Sequence, residues 1–113
     1  MGLDQTAYSV PPQIDWEKIP EDEDWQNPIY KHGRQIGQWR KDWPLHEVVC
    51  AVKDADPSHW NCKVEITQSD LDRIKVRLAG GAHSRDALQT IRFLRDAQDS
   101  LLGGKRIYYL ANQ

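Results

Sequence analysis

The chain has 113 residues, 39% of them apolar and 28% charged, with a formal net charge of −2. This is one ordinary domain, 1–113, built on one hydrophobic core, which excludes a second core and wholesale disorder. No run of about 18 apolar residues offers a transmembrane helix, and no basic and apolar leader opens the chain. The expectation is a cytoplasmic protein, with Cys50 and Cys62 as reduced, structural thiols.

Residues 3–9 read as a first strand. Pro11, Pro12, Pro20 and Pro28 then forbid a long helix, and residues 10–30 read as an extended acidic arm docked on the body. All five tryptophans fall within the first 60 residues, and Trp16 and Trp25 are the anchors expected of the arm. Residues 1–30 carry seven acids and one base, a net of −6, so the remainder sums to +4. Residues 33–40 form a second strand, with Ile36 expected opposite to Trp39.

Asp42-Trp43-Pro44 is a helix start, and Leu45, Val48, Val49 and Val52 follow as an apolar stripe, which predicts a helix over 44–54. Residues 60–67 alternate as a strand, with Val64 and Ile66 on one face. Ser69 to Asp72 resembles a capping box, and Leu71, Ile74 and Leu78 then share a helical face. Residues 74–78 also alternate as a strand, and helix is the favoured reading of 69–79.

The strongest helix is 85–102, with Ser84 as its expected cap and Gly103-Gly104 as its stop. Ala87, Leu88, Ile91, Leu94, Leu101 and Leu102 form its apolar face, and Leu88, Ile91 and Leu94 are expected in the core. Opposite them Arg92–Asp96 and Arg95–Asp99 are spaced as self-cancelling ion pairs. Residues 105–111 close the chain as a strand. The fold expected is α+β, a small, mostly antiparallel sheet of three or four strands covered by two or three helices, with the Trp- and Pro-rich arm beside it.

Motifs that carry chemistry are missing from the sequence. No glycine cradle for phosphate occurs, and His46-Glu47 lacks the second histidine of a zinc helix. His32, His46, His59 and His83 are scattered, and no serine sits in a nucleophile elbow. No catalytic residue, cofactor or metal is therefore assigned.

Two sets of residues remain as candidates. Trp16, Glu21, Asp22, Glu23, Asp24 and Trp25 make a candidate protein interface, because tryptophan anchors interfaces and a field of one sign steers association. Trp39, Arg40 and Lys41 with Tyr108 and Tyr109 make a candidate ligand pocket. A third and weaker reading joins Lys31, Arg34, Arg40 and Lys41 to Trp39 and Trp43 as a single-strand nucleic-acid platform, although the basic residues lack the concentrated face that nucleic acid needs.

The opening Met-Gly-Leu-Asp-Gln-x-Ala-Tyr, Trp39-Arg40-Lys41, Leu45-His46, Asn61-Cys62-x-Val64, Thr67, Asp70-Leu71-Asp72 and Tyr108-Tyr109 run in one order along the chain. In these motifs the sequence resembles a group of small uncharacterised phage and bacterial proteins. The resemblance implies phage or prophage origin and a helix at 69–79, and it implies no activity. The function expected is a non-enzymatic binding protein, phage-encoded, that docks on a host protein and modulates or inhibits it. The alternative from another class is a small ligand-binding domain or enzyme.

Overall fold

Among the described residues, alternation of apolar and polar side chains drives four segments into strands, and capped amphipathic runs drive three into helices. A computed structural model describes residues 2–14, 31–81 and 83–113. The strands are β1 (Asp4–Val10), β2 (Arg34–Arg40), β3 (Asn61–Ile66) and β4 (Arg106–Asn112). The helices are α1 (Trp43–Lys53), α2 (Gln68–Ala79) and α3 (Ala87–Leu102). The strands form one sheet in the order β2-β1-β4-β3, and every neighbouring pair is antiparallel. The α+β expectation therefore holds. Of the expected arm over 10–30, Val10 ends β1 and 11–14 are described, whereas 15–30, with Trp16, Glu21, Asp22, Glu23, Asp24 and Trp25, lie outside the described residues.

One face of the sheet carries the main core. Leu3, Ala7, Ile36, Trp39, Cys62, Ile66, Ile107, Tyr109 and Ala111 meet the Leu45, Val48, Val49 and Val52 stripe of α1, Leu71 and Ile74 of α2, and Phe93 and Ala97 of α3. The helices cover this face, α3 against β2, β1 and β4, and α2 against β3. A smaller cluster of Val10, Tyr108 and Leu110 lies on the opposite face, with Tyr8 and Ile14 against it. There the Tyr108 hydroxyl and Arg106 Nη1 both donate to the Ile14 carbonyl, at 3.1 and 3.0 Å.

Four local expectations are corrected. First, Ile36 and Trp39 lie in the same core cluster. The register of β1 on β2 shifts between Ala7, which faces Gly37, and Tyr8, which faces Gln35. The bulge inserts one residue, so two side chains three apart point to one face instead of two. Gly37 lies beneath the Trp39 indole, and a Cβ there would come within 2.3 Å of the ring.

Second, the capping box of α2 starts at Thr67 instead of Ser69. Thr67 Oγ1 accepts from the Asp70 amide and the Asp70 carboxylate accepts from the Thr67 amide. The buried Asp70 also receives Lys53 Nζ and Arg73 Nη2, each at 2.7 Å, which ties α1 to α2. Burial alone would raise the Asp70 pKa, but hydrogen bonds from Lys53 and Thr67 and the Lys53 charge bring it below the usual carboxylate value.

Third, α3 presents a different face to the core. Thr90, Phe93, Ala97 and Ser100 are buried, with Leu94 and Leu101 half-buried beside them. Leu88 and Ile91 are each 60% exposed and Leu102 is 78% exposed. The cause is the indole of Trp39, whose Nε1 donates to Thr90 Oγ1 at 2.9 Å while Phe93 meets its ring edge-on. A buried N–H needs an acceptor, and the threonine face supplies one where the leucine face cannot. The N-cap is Asp86, not Ser84.

Fourth, the ion pairs Arg92–Asp96 and Arg95–Asp99 do not form. Among the described residues the ion pairs are Arg40–Asp4, Lys53–Asp70, Arg73–Asp70 and Arg106–Glu65.

Candidate functional site

The candidate site lies where β2 turns into α1. Lys41 follows the last residue of the strand with φ 56°, in the left-handed region that non-glycine residues rarely enter. Its amide donates to the Leu3 carbonyl at 2.7 Å, which fastens the turn to β1. The turn sends the Asp42 side chain inward, where it is 1% exposed.

Asp42 is saturated with donors. Oδ1 accepts from the Leu45 and Arg85 amides, at 3.2 and 2.8 Å. Oδ2 accepts from Ser84 Oγ and the Asp86 amide, at 2.6 and 3.0 Å. One carboxylate thereby caps α1 and fixes the segment that leads into α3. Desolvation, the largest single influence on it, favours the protonated form, but the bonds from Ser84, Arg85, Asp86 and Leu45 together hold its pKa below the usual value.

Beneath it runs a closed chain of polar side chains. Gln5 grips the Asp42 backbone, donating from Nε2 to its carbonyl and accepting from its amide. Gln5 Nε2 also donates to the Tyr109 hydroxyl at 3.0 Å. That hydroxyl lies 2.8 Å from His46 Nδ1, and His46 Nε2 lies 3.1 Å from the Pro57 carbonyl. A carbonyl can only accept, so Nε2 carries the proton and Nδ1 of the neutral ring accepts from Tyr109. Burial lowers the His46 pKa, against a smaller opposing pull from the Pro57 carbonyl and Glu47, and burial pushes the Tyr109 hydroxyl far above its ordinary value. Gln5, His46 and Tyr109 are all buried, so this chain orients the turn and offers no access to a substrate.

Cys50 extends the same cluster, its Sγ 3.6 Å from His46 Nε2. Its contact with the Cys62 thiol, reinforced by burial, pushes its pKa up and keeps it protonated. Both cysteines are unpaired with each other and buried, where the sequence reading has them as free thiols.

Above Asp42 the surface opens into a cleft of about 690 Å³ lined by Gln38, Trp39, Arg40, Lys41, Arg85, Asp86, Ala87 and Gln89. Three cations face one acid, and Asp86 is itself occupied in accepting the Gln89 amide at 3.1 Å. Arg40 has an exposed pairing with Asp4 at 3.8 Å, a contact worth little in solvent. Arg85 was not singled out from the sequence; it enters because Asp42 holds its backbone against the turn.

Trp39, Arg40 and Lys41 therefore line one cleft, while Tyr108 and Tyr109 lie away from it. Tyr109 is in the main core and Tyr108 belongs to the cluster on the opposite sheet face. Trp39 itself is buried, so it presents no ring face for a base to stack on. Arg34 opens β2 and Arg40 closes it, roughly 20 Å apart at strand spacing. Arg34 instead lines a second cleft of about 360 Å³ with His32, Asp99 and Lys105. The basic residues near Trp39 are thus divided between two places.

Two exposed tryptophans lie at the same end of the fold. Trp43 opens α1 and is 38% exposed; Trp60 precedes β3, is 64% exposed and stacks on His59. The loop before Trp60 is held by His46 Nε2 on the Pro57 carbonyl and by Gln113 Nε2 on the Pro57 and His59 carbonyls. Among the described residues no group of three His, Cys, Asp or Glu could hold a metal ion, and no helix is long and apolar enough to cross a membrane. Comparison with protein-family models, with curated proteins and with solved structures finds no match to this chain.

Proposed function

We propose that this chain is a non-enzymatic binding protein that docks on another protein, and that its docking surface includes the end of the fold bearing Trp43 and Trp60. The observation that carries the reading is the exposure of these two large aromatic side chains on firmly held backbone near a cationic cleft. Tryptophan and arginine are the side chains that most often anchor interfaces, because each removes a large area from water and still offers a donor. Arg40, Lys41 and Arg85 call for a partner surface that is acidic around an apolar socket. With the phage resemblance, the partner is a host protein. The acidic run Glu21–Asp24 with Trp16 and Trp25 belongs to this reading by composition, as a second contact of opposite charge.

The test is capture from host lysate by the parent protein and by Trp43→Ala and Trp60→Ala, each first shown to be folded. Recovery of a specific partner by the parent, with recovery by Trp60→Ala reduced about tenfold or more, is the expected result. Undiminished capture by both variants overturns the docking surface. A second reading, a small anionic ligand in the cleft, is favoured by the convergence of three cations there. A rise in melting temperature with phosphate or a dicarboxylate, lost in Arg85→Ala, would support it over the first.

A further inference from the structure

The outer face of α3 holds apolar side chains that nothing in the described fold covers. Leu88, Ile91 and Leu102 are exposed on the side of the helix away from Thr90, Phe93 and Ala97. Leu88, Arg95 and Leu102 are seven residues apart, with Ile91 and Gln98 between them, which is the heptad spacing of a helix–helix seam. Val76 of the neighbouring α2 is also exposed, and Lys75 just before it donates to Gln98.

The charged side chains beside the seam are not paired within the fold. Those of Arg92, Arg95, Asp96 and Asp99 make no hydrogen bond or ion pair among the described residues, and Asp99 also borders the cleft of His32, Arg34 and Lys105. Their order fits an antiparallel copy. A two-fold axis through Arg95 lays Leu88 against Leu102 of the second copy. Arg92 stands about 4.5 Å before Arg95 along the axis and Asp99 about 6 Å after it, at 1.5 Å per residue. The axis brings Arg92 of one copy level, within about 1.5 Å, with Asp99 of the other, on the same side of the seam, and does so twice. A parallel pairing would set Arg92 and Asp99 beside Ala87, Leu94 and Leu101 and leave the charges unmatched.

We infer that a second copy of this chain docks on α3 in antiparallel orientation, giving a two-fold dimer held by Leu88, Ile91 and Leu102 and oriented by paired Arg92 and Asp99. The surface is independent of Trp43 and Trp60. Arg95 meets its own copy on the axis, an unfavourable contact that keeps the association weak. The apolar contact rests on three exposed side chains per copy, Leu88, Ile91 and Leu102, where a standard interface buries roughly 800 Å² per partner, so a weak dimer is expected, at about 10–100 μM instead of nanomolar concentrations.

Sedimentation equilibrium of the full chain tests this across that concentration range. The expected results are a reversible monomer–dimer equilibrium, weakened about tenfold or more by Ile91→Asp and strengthened by Arg95→Leu. Arg92→Asp and Asp99→Arg each weaken it, and the two together restore it; circular dichroism confirms that each variant is folded. A monomer throughout overturns the proposal, and so does a dimer indifferent to Ile91→Asp. A dimer weakened by Ile91→Asp but not restored by the double charge exchange overturns the antiparallel arrangement.

Discussion

Replacing Gly37 with alanine puts a methyl group where the Trp39 indole lies. The new carbon would come to 2.3, 2.7 and 3.2 Å from three atoms of the six-membered ring. Carbon contacts sit near 3.5–4 Å, so one side must move by about 1 Å. The indole is poorly able to yield, because Thr90 holds its Nε1 and Phe93 abuts its ring. Gly37 has no positive φ, so the penalty is steric and not a matter of backbone conformation. Overpacking of this kind costs about 1–3 kcal/mol, and the reduced freedom of alanine in the unfolded chain returns about 0.4–1 kcal/mol. A net loss of about 1–2 kcal/mol is expected, read as a drop of roughly 1 M in the urea midpoint. Trp39→Phe removes the colliding ring atoms at its own cost. Adding Gly37→Ala to that variant should cost less than about 0.5 kcal/mol, and the cycle isolates the coupling. A neutral Gly37→Ala in the parent, or an equal cost in both backgrounds, would refute the steric account.

Asp42→Ala strips the acceptor from four donors, two of them the Arg85 and Asp86 amides, and should destabilise by about 2–4 kcal/mol by chemical denaturation, with Asp42→Asn in between. His46 has a lowered pKa in the fold, so below about pH 6.5 the unfolded chain binds a proton that the folded chain refuses, and stability falls with pH from there. Urea midpoints between pH 8 and 5 should show this slope, and His46→Gln should flatten it. Asp42 and Asp70 act lower, their stabilisation being intact above about pH 3.9 and lost as pH falls through their depressed values. Phe93→Ala should cost about 3–5 kcal/mol, whereas Leu88→Ala and Ile91→Ala in dilute solution should each change stability by less than about 0.5 kcal/mol.

Local signals located every described element within a residue or two. Asp42-Trp43-Pro44 announced α1, and Gly103 ends α3 as its composition indicates. The rotation of α3 was not legible, because its leucines outweigh Thr90 and Ser100 on any hydropathy count. Only the tertiary need of the Trp39 N–H for an acceptor turns the threonine inward. The start of α2 was degenerate, since Thr67 and Ser69 each have an aspartate three residues on. Asp70 is the one that also meets Lys53 and Arg73, and that decides the cap. The bulge at Ile36 depends on how β1 and β2 align, and the second wall of the cleft depends on Asp42 reaching the 84–86 segment. Both are contacts between residues far apart in the chain, which no local window contains.

The pairing of β1 with β4 in the middle of the sheet also governs the order in which the fold can be assembled. Val10 faces Arg106, so β1 leaves the ribosome with one central partner still unmade. At about 5–20 residues per second the gap takes several seconds to synthesise. During that interval β1 can pair with β2, but the backbone donors and acceptors of its other edge stay open to neighbouring nascent chains. β3 joins the sheet only through β4, so it cannot dock early either. The sheet is therefore completed only once β4 has emerged, in one late step, and its yield at high expression should depend on how well that open edge is shielded in the meantime.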